Sequence, residues 1–263
     1  MPGGQLWSAG EAYEPYVGRW SRLVAPEFIR WLNPAPNSDW VDVGCGTGEL
    51  TRALLEHAQP RSVHGVEPSP AFLAFAREHT GDRRATFAPG DALRLPLDDA
   101  SVDFVVSGLV LNFVPDPPVA VAEFARVARP GAIIAAYVWD YAGGMQLMRY
   151  FWDAAAELDS GAQSVDEASR FVLCNPAALT PLFEGAGLRR VETRAIDIST
   201  VFRDFDDYWS PFLRGGAPAP QYATSLSEAR RAELRELIRS RLPVAADGSI
   251  ALTARAWAVK GTR

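Results

Sequence analysis

A strand that runs directly into three closely spaced glycines constrains this chain more than any other feature. The stretch VDVGCGTGEL, residues 41–50, places Gly44, Gly46 and Gly48 immediately behind a short apolar run. Glycine adopts positive φ readily and, without a Cβ atom, lets a ligand lie against the backbone. The pattern therefore predicts a strand that turns sharply into a helix and leaves a binding surface at the turn.

The sequence around this turn alternates between strand and helix patterns. Strands are predicted at WVDVG, VHGVEP, ATFAPGDA, VDFVVSG and AIIAAYVW, and the helix PPVAVAEFARVARPG is expected to stop at Pro130 and Gly131. Strands separated by helices predict parallel βαβ units with right-handed crossovers. After Asp140 the helices MQLMRYFWDAAAEL, NPAALTPLFEGAGL, DFDDYWSPFL and SLSEARRAELRELI interrupt two further strands, VETRAIDI and IALTARAWAVKG. Ser225 and Glu228 are predicted to form the capping box of the last helix.

Three carboxylates narrow the choice of ligand. A dinucleotide fingerprint needs its third glycine five positions after the first, where this chain has Glu49, and no Gly-Lys-Ser/Thr follows to make a Walker loop. Asp42 lies beside the turn, Glu67 closes the second strand and Asp91 closes the third. Carboxylates at one sheet edge repel a pyrophosphate and attract a nucleoside that carries positive charge, such as a sulfonium.

Composition excludes several other classes of protein. The net charge of −6 argues against nucleic acid as the partner, because phosphate binding needs clustered Lys and Arg. No apolar run approaches the roughly 18 residues of a membrane span, and the start has no basic segment followed by an apolar core. Of the two cysteines, Cys45 lies inside the glycine turn, which disfavours a disulfide framework. A cytoplasmic protein without a membrane partner is expected.

The motifs VDVGCGTG, VEPS, GDALRLPLDDASVDFVVS and RVARPGAIIAAYVW, in this order, resemble the class I S-adenosylmethionine-dependent methyltransferases. Within that class the chain is similar to the type 11 group that includes the ubiquinone and menaquinone methyltransferases, and the resemblance covers about residues 38–140. It implies a Rossmann-like α/β fold: a seven-stranded sheet whose last strand is antiparallel, with helices on both faces and helical insertions forming a lid. One domain over residues 1–263 is expected, with a helical lid at 1–37, a cofactor-binding core at 38–140 and substrate-side insertions at 141–185 and 199–245.

The resemblance also implies a cofactor site for S-adenosyl-L-methionine, with S-adenosyl-L-homocysteine as the product and no metal ion. Gly44, Gly46 and Gly48 would back the methionine and ribose, Glu67 would hold the ribose hydroxyls, and Asp91 would meet the adenine edge. Other implied cofactor residues are Asp42, Cys45, Pro68, Ser69, Gly90, Ala92, Ser107 and Gly108. From the aromatic N-terminal segment, Tyr16 or Arg19 is predicted to reach the cofactor's carboxylate, with Trp20 beside them.

The acceptor is predicted to be a small molecule. Candidate substrate-binding residues are Tyr13, Asn112, Trp139, Trp152 and Trp209. Core packing is the alternative for each aromatic residue, and capping of a turn is an equal alternative for Asn112. Transfer would be an in-line displacement, which needs a general base only if the acceptor loses a proton; no catalytic residue is therefore assigned. A homodimer is compatible with the sequence.

Two alternative functions share the predicted cleft. A non-catalytic S-adenosylmethionine-binding protein needs the same motifs, so the sequence does not separate it from an enzyme. An NAD-dependent oxidoreductase is disfavoured by Glu49 and by the acidic edge of the sheet.

Overall fold

The computed structural model describes residues 19–214 and 216–263. The candidates Tyr13 and Tyr16 lie outside the described residues, so their predicted roles stay predictions.

Seven strands form one sheet. They are β1 (Asp39–Val43), β2 (Ser62–Glu67), β3 (Ala85–Pro89), β4 (Val102–Gly108), β5 (Ala128–Trp139), β6 (Arg189–Phe202) and β7 (Ile250–Thr262). Their order is β3-β2-β1-β4-β5-β7-β6, and β1 to β5 are parallel. The last strand, β7, is antiparallel to β5: Gly131 N–H donates to Arg263 O at 3.2 Å and Arg263 N–H to Ala132 O at 3.0 Å. The predicted fold class is confirmed.

The described α-helices follow in chain order. They are α1 (Arg19–Leu32), α2 (Glu49–His57), α3 (Pro70–His79), α4 (Pro117–Val127), α5 (Gln146–Leu158), α6 (Glu167–Arg170), α7 (Pro176–Gly185), α8 (Phe205–Trp209), α9 (Pro218–Ser225) and α10 (Glu228–Arg241). Short 3₁₀ turns cover Leu111–Phe113, Ser160–Ser164 and Ser210–Leu213. None of the helices within residues 19–214 and 216–263 combines the length and the apolar character that crossing a bilayer requires.

The described residues fall into two compact units. The sheet unit comprises residues 21–138, 175–196 and 257–263, and the insertion unit comprises residues 19–20, 139–174, 197–214 and 216–256. The division of the chain into lid, core and insertions that the sequence suggests stays a prediction.

The sheet unit has an apolar core that the strand pattern explains. All of β1 except its first residue is buried, because a central parallel strand is covered on both faces. Trp40 of β1 stacks on Phe104 of β4 with ring centroids 4.0 Å apart. The parallel pairing of β1 with β2 and with β4 places the carboxyl ends of these three strands side by side, where the glycine turn begins.

The insertion unit is built on aromatic side chains. Phe151 of α5 stacks on Phe212 with centroids 4.5 Å apart, and the hydroxyl of Tyr208 donates to the Leu147 carbonyl at 2.8 Å. The aromatic spacing predicted helices here, and the structure confirms them as α5, α8 and the 3₁₀ turn after α8.

Two local predictions are wrong. The helix expected to stop at Pro130 and Gly131 ends at Val127, because Ala128 already pairs with Val102 of β4 and the chain continues as β5 through a register shift. Gly131 lies within this bulge and has a φ of +85°, a left-handed conformation that glycine adopts readily.

The predicted capping box of Ser225 and Glu228 does not form. Ser225 ends α9, and its hydroxyl donates to the Tyr222 carbonyl. Ser227 is the N-cap of α10, and its oxygen accepts from Arg230 N–H at 3.3 Å. A serine two positions nearer to the start of the helix has the extended backbone that an N-cap requires.

Candidate functional site: the glycine turn at the carboxyl edge of the sheet

The glycine turn has the backbone conformation that its glycines predict. Gly44, Gly46 and Gly48 have φ values of +72°, +53° and +87°. The N–H groups of Gly44 and Cys45 both donate to the Val66 carbonyl, at 2.8 and 3.2 Å, which fixes the turn against β2. Apart from its chain neighbours, no heavy atom of the described residues lies within 4 Å of the position that a Cβ on Gly46 would take. The turn therefore offers bare backbone with open space in front of Gly46.

Glu67 contacts the turn at Gly46. Its side chain is buried, with 7% of the residue exposed. One carboxylate oxygen accepts the Gly46 N–H at 3.1 Å and the other accepts the Ser69 N–H at 2.9 Å. Burial raises the pKa of Glu67, and these two backbone hydrogen bonds oppose the rise. Because each carboxylate oxygen has two lone pairs, Glu67 can still accept hydrogen bonds from a ligand.

Asp42 supplies a second buried carboxylate to the turn. Only 1% of Asp42 is exposed, and the Thr51 hydroxyl of α2 donates to its Oδ2 at 2.7 Å. Its Oδ1 is buried and has no hydrogen-bond partner among the described residues. Burial raises the pKa of Asp42 to about 7, and the nearby Glu67 charge adds to this effect. In its ionised form, Asp42 would have one hydroxyl donor and no positive charge paired with it among the described residues.

The start of α2 does not favour a pyrophosphate. Gly48 caps this helix without a side-chain hydrogen bond, and Glu49 occupies the first turn, ion-paired with Arg52. A carboxylate in the first turn complements the helix dipole itself and repels a second anion there. The position where a dinucleotide site needs glycine is therefore filled by negative charge.

The residues after β3 form a tight turn. A Cβ on Gly90 would lie 2.6 Å from the Val66 side chain, so the backbone passes close to β2. Asp91 is exposed, and its Oδ1 accepts the Leu93 N–H at 2.7 Å, while Ala92 is half-buried. The carboxylate of Asp91 thus stabilises its own turn. Its contact with adenine, like that of Ala92, stays a prediction.

Pro68 and Ser69 continue from Glu67 into α3. Pro68 is exposed, and Ser69 is the N-cap, its hydroxyl oxygen accepting from Phe72 N–H at 3.4 Å. Pro70 follows at the first helical position, where its fixed φ suits the helix and its missing N–H costs no hydrogen bond. Ser69 therefore has a structural role whether or not it also contacts a ligand.

The end of β4 is tied to the turn. Ser107 is buried, and its hydroxyl donates to the Val43 carbonyl at 3.0 Å, which joins β4 to β1. A Cβ on Gly108 would lie 2.6 Å from the hydroxyl of Tyr137, its register partner on β5. Sequence reasoning missed Tyr137 because it looked like one apolar residue of a buried strand. Only the register of β4 and β5 could have identified it.

Cys45 is not a reactive thiol. It is buried in the turn, and burial, together with the charges of Asp42 and Glu67, raises its pKa well above the usual range. A thiol that stays protonated is a poor nucleophile. Cys45 and Cys174 are both free.

The predicted cofactor residues of α1 belong to the insertion unit. Arg19 pairs with Asp207 at 3.0 Å, and its guanidinium carbon lies 4.4 Å from the Trp20 ring centroid and 4.8 Å from that of Phe202. Trp20 meets Phe202 edge-on. These contacts give both residues a local packing role, and their contact with a cofactor stays a prediction.

The predicted substrate residues are mostly buried. Trp139, Trp152 and Trp209 are each at most 4% exposed. The Trp152 indole N–H donates to Glu167, a buried carboxylate whose pKa burial raises to about 7. Asn112 lies in the 3₁₀ turn after β4, and its amide nitrogen is buried without a hydrogen-bond partner among the described residues. The described residues contain no group of three or more His, Cys, Asp or Glu side chains arranged to hold a metal ion.

Comparisons with known proteins agree with this geometry. Residues 41–136 match the family model described as "Methyltransferase domain". An uncharacterized methyltransferase of Mycobacterium tuberculosis strain H37Rv is 40% identical over 133 residues, which are 51% of this chain and 51% of that protein. Demethylmenaquinone methyltransferase of Staphylococcus aureus strain Newman is 38% identical over 96 residues, 36% of this chain and 40% of that protein. The matched region thus spans about half or less of these relatives' length.

A solved structure extends the likeness beyond the matched region. Phosphoethanolamine N-methyltransferase 2 of Haemonchus contortus, in complex with S-adenosyl-L-methionine, has a TM-score of 0.60 at 18% identity, covering 96% of this chain and 56% of that one. At this identity the comparison shows the fold, which the two chains share.

Proposed function

We propose that this chain, whose residues 41–136 match a methyltransferase-domain family, transfers a methyl group from S-adenosyl-L-methionine to a small molecule. The proposal depends above all on Glu67. Its buried carboxylate accepts two backbone N–H groups, one of them from Gly46, and its remaining lone pairs would accept hydrogen bonds from the two hydroxyls of a ribose.

The charges around the turn support a cationic adenosyl group over a dinucleotide. Asp42 and Glu67 are buried carboxylates, and Glu49 occupies the first turn of α2. A sulfonium nucleoside gains Coulomb energy beside these groups, whereas a pyrophosphate loses it. The residues present therefore fit S-adenosyl-L-methionine and do not fit NAD.

The proposed chemistry needs alignment more than proton transfer. When bound, the sulfonium supplies an electrophilic methyl group, and the acceptor displaces the neutral thioether of S-adenosyl-L-homocysteine in line. Holding both reactants in near-attack geometry can supply roughly 7–11 kcal/mol of the barrier. Gly46 and Glu67 would hold the ribose, and Ser107 keeps the end of β4 beside β1.

The acceptor side of the proposal is less specific. The relatives named above act, by their names, on a quinone precursor in one case and on phosphoethanolamine in the other. We propose a small apolar or aromatic acceptor, with Asn112, Trp139, Trp152 and Trp209 as its candidate contacts. The buried amide nitrogen of Asn112 has no hydrogen-bond partner among the described residues. An oxygen atom on the acceptor molecule could accept a hydrogen bond from it, which supports Asn112 as a substrate contact.

Two measurements test the proposal. Titration calorimetry with S-adenosyl-L-methionine, S-adenosyl-L-homocysteine and NAD should give heat of binding for the first two only. Incubation with methyl-labelled cofactor and a metabolite extract should then place label in a small molecule. Binding without any transfer would favour the non-catalytic alternative, and tighter binding of NAD would refute the cofactor assignment.

A cytoplasmic location, a single domain and a homodimer also remain proposals.

A further inference from the structure

Asp42 is a buried carboxylate with one oxygen unsatisfied. Its Oδ2 accepts the Thr51 hydroxyl, but its Oδ1 has no hydrogen-bond partner among the described residues. An ionised carboxylate buried in this way is unstable unless a positive charge or further donors compensate it. The protonated acid, by contrast, needs no counter-charge. Asp42, two residues before the first glycine of the turn, is therefore a neutral acid that could ionise if a positive charge were bound nearby.

The side chains around Asp42 do not supply the missing positive charge. Its register partners are Gly65 on β2 and Val106 on β4, which cannot ionise. From α2 it meets Thr51, and from the end of β2 it feels Glu67, whose negative charge disfavours its ionisation. Asp42 takes part in no salt bridge within residues 19–214 and 216–263.

Cys45 is the remaining titratable neighbour. Its thiol stays protonated, because burial and the charges of Asp42 and Glu67 raise its pKa, while Arg77 of α3 opposes them only weakly. A neutral thiol cannot compensate a carboxylate. Because no positive side chain within residues 19–214 and 216–263 pairs with Asp42, a bound cation would supply the compensating charge.

We propose that Asp42 keeps its proton in the ligand-free protein and in the complex with S-adenosyl-L-homocysteine, and releases it to solvent when the sulfonium of S-adenosyl-L-methionine binds. The glycine turn would then distinguish methyl donor from demethylated product by charge. This inference rests on the proposed function, because it assumes that both nucleosides bind at the turn. It adds a role for Asp42 that does not depend on direct contact with the ligand.

The sign of the pH dependence follows from this coupling. Below pH 7 the free protein carries the proton, so binding of the cation must expel it and is weakened as the pH falls. Above pH 7 Asp42 is already ionised and the cation binds without proton release. S-adenosyl-L-homocysteine has the same ammonium and carboxylate groups but no sulfonium charge, so it gains less from the ionised carboxylate. The affinity ratio of donor to product should therefore rise about three- to tenfold between pH 6 and pH 8.

Proton counting by calorimetry tests the inference. Binding enthalpies of both nucleosides are measured at pH 6.5 and pH 8 in buffers that differ in ionisation enthalpy. At pH 6.5 the wild type should release about 0.5–0.7 proton more with S-adenosyl-L-methionine than with S-adenosyl-L-homocysteine, and at pH 8 this difference should nearly vanish. Asp42→Asn, an isosteric neutral side chain, should abolish the excess at pH 6.5. Subtracting the variant's proton count removes protons that the ligands themselves exchange.

A second variant keeps the test decisive if Asp42→Asn folds poorly. Thr51→Val removes the hydrogen bond that favours the ionised carboxylate, so the pH of half-maximal proton release should move upward. Equal proton counts for the two nucleosides in the wild type, with both bound, would overturn this inference and leave the proposed function intact. Failure of both nucleosides to bind would overturn the proposed function and this inference with it.

Discussion

Glu67 combines two roles in one side chain, and each can be measured. It holds the glycine turn through the Gly46 N–H and the start of α3 through the Ser69 N–H, while its remaining lone pairs are those proposed for the ribose. A glutamine at this position keeps one acceptor oxygen but has no charge and places an NH₂ group against a backbone N–H. The turn and the ribose contact should weaken together.

We expect Glu67→Gln to lower the affinity for S-adenosyl-L-methionine and S-adenosyl-L-homocysteine alike, by about 10- to 100-fold, because a charge-assisted hydrogen bond contributes about 1.5–3 kcal/mol. Titration calorimetry measures both constants. Glu78→Gln, an exposed glutamate of α3, is the matched control and should bind as the wild type does. An unchanged affinity in Glu67→Gln would remove Glu67 from the site.

Gly46 offers a second test, because a matched glycine separates backbone strain from ligand contact. Gly46 and Gly187 both have positive φ, +53° and +79°. At either position a Cβ atom would have no heavy atom of the described residues within 4 Å, apart from its chain neighbours. Alanine at either position should cost about 1–2 kcal/mol of stability, from the left-handed backbone alone. Gly46→Ala should in addition weaken cofactor binding at least tenfold, because its methyl group enters the proposed ligand space.

Urea unfolding and calorimetry on both variants decide this point. Gly187 lies at the end of α7, away from the turn in sequence, and Gly187→Ala should bind the cofactor normally. Equal loss of binding in the two variants would mean that instability, and not contact, explains the effect of Gly46→Ala.

At the scale of elements, a charge network joins the amino ends of three strands. Arg129 of β5 donates to Asp103 of β4 at 2.7 Å and to Asp39 of β1 at 3.2 Å, and the Asp39 N–H donates to Asp103 at 2.8 Å. Asp103 thus orients its strand. The network lies at the opposite end of β1 from the glycine turn, so it supports the sheet and not the chemistry.

We expect Arg129→Met to reduce the free energy of unfolding at pH 7 by about 1–2 kcal/mol, a value discounted because Arg129 is over a third exposed. Arg230→Met, which removes a pair with an exposed Glu233, should cost less than about 0.5 kcal/mol. Urea denaturation measures both. A cost for Arg129→Met no larger than that for Arg230→Met would show that the network is not stabilising.

The same network sets an acid limit on stability. The Arg61 hydrogen bond, assisted by Ser62 and Arg129, holds the pKa of Asp39 below its usual range. A lowered folded-state pKa contributes stability that is present above about pH 4 and is lost as the pH falls further. The difference in unfolding free energy between wild type and Arg129→Met should therefore narrow below pH 4, and a constant difference down to pH 2.5 would contradict this.

At the scale of the whole molecule, net charge bears on the class of acceptor. With −6 overall, the chain lacks the excess of basic residues that sequence-independent nucleic-acid binding requires. We expect label from methyl-labelled S-adenosyl-L-methionine to enter the small-molecule fraction of a cell extract and not the RNA, DNA or protein fractions. Label in RNA that persists at 0.2 M salt would contradict the small-molecule acceptor.

The local geometry of the candidate site could be predicted from sequence because it depends on short-range spacing. Three glycines after a strand, a carboxylate at the end of the next strand and a proline-started helix are local patterns. In the structure the Glu67 carboxylate accepts hydrogen bonds from the Gly46 and Ser69 N–H groups. The seven strands and the antiparallel last strand were predicted from the family that these motifs resemble. The motifs themselves cover only the first five strands of the sheet.

Long-range contacts decided what sequence could not. The end of α4 at Val127 depends on the pairing of Ala128 with Val102, and the position of the Tyr137 hydroxyl over Gly108 depends on the register of β4 and β5. Neither pairing leaves a trace in local spacing. Asp42 shows the same limit: its residue type and place were evident from the sequence. The sequence could not show that Asp42 is buried, that one hydroxyl donates to it or that its Oδ1 has no partner among the described residues. These properties depend on the strands and helices that surround Asp42 in the fold and not on its neighbours along the chain.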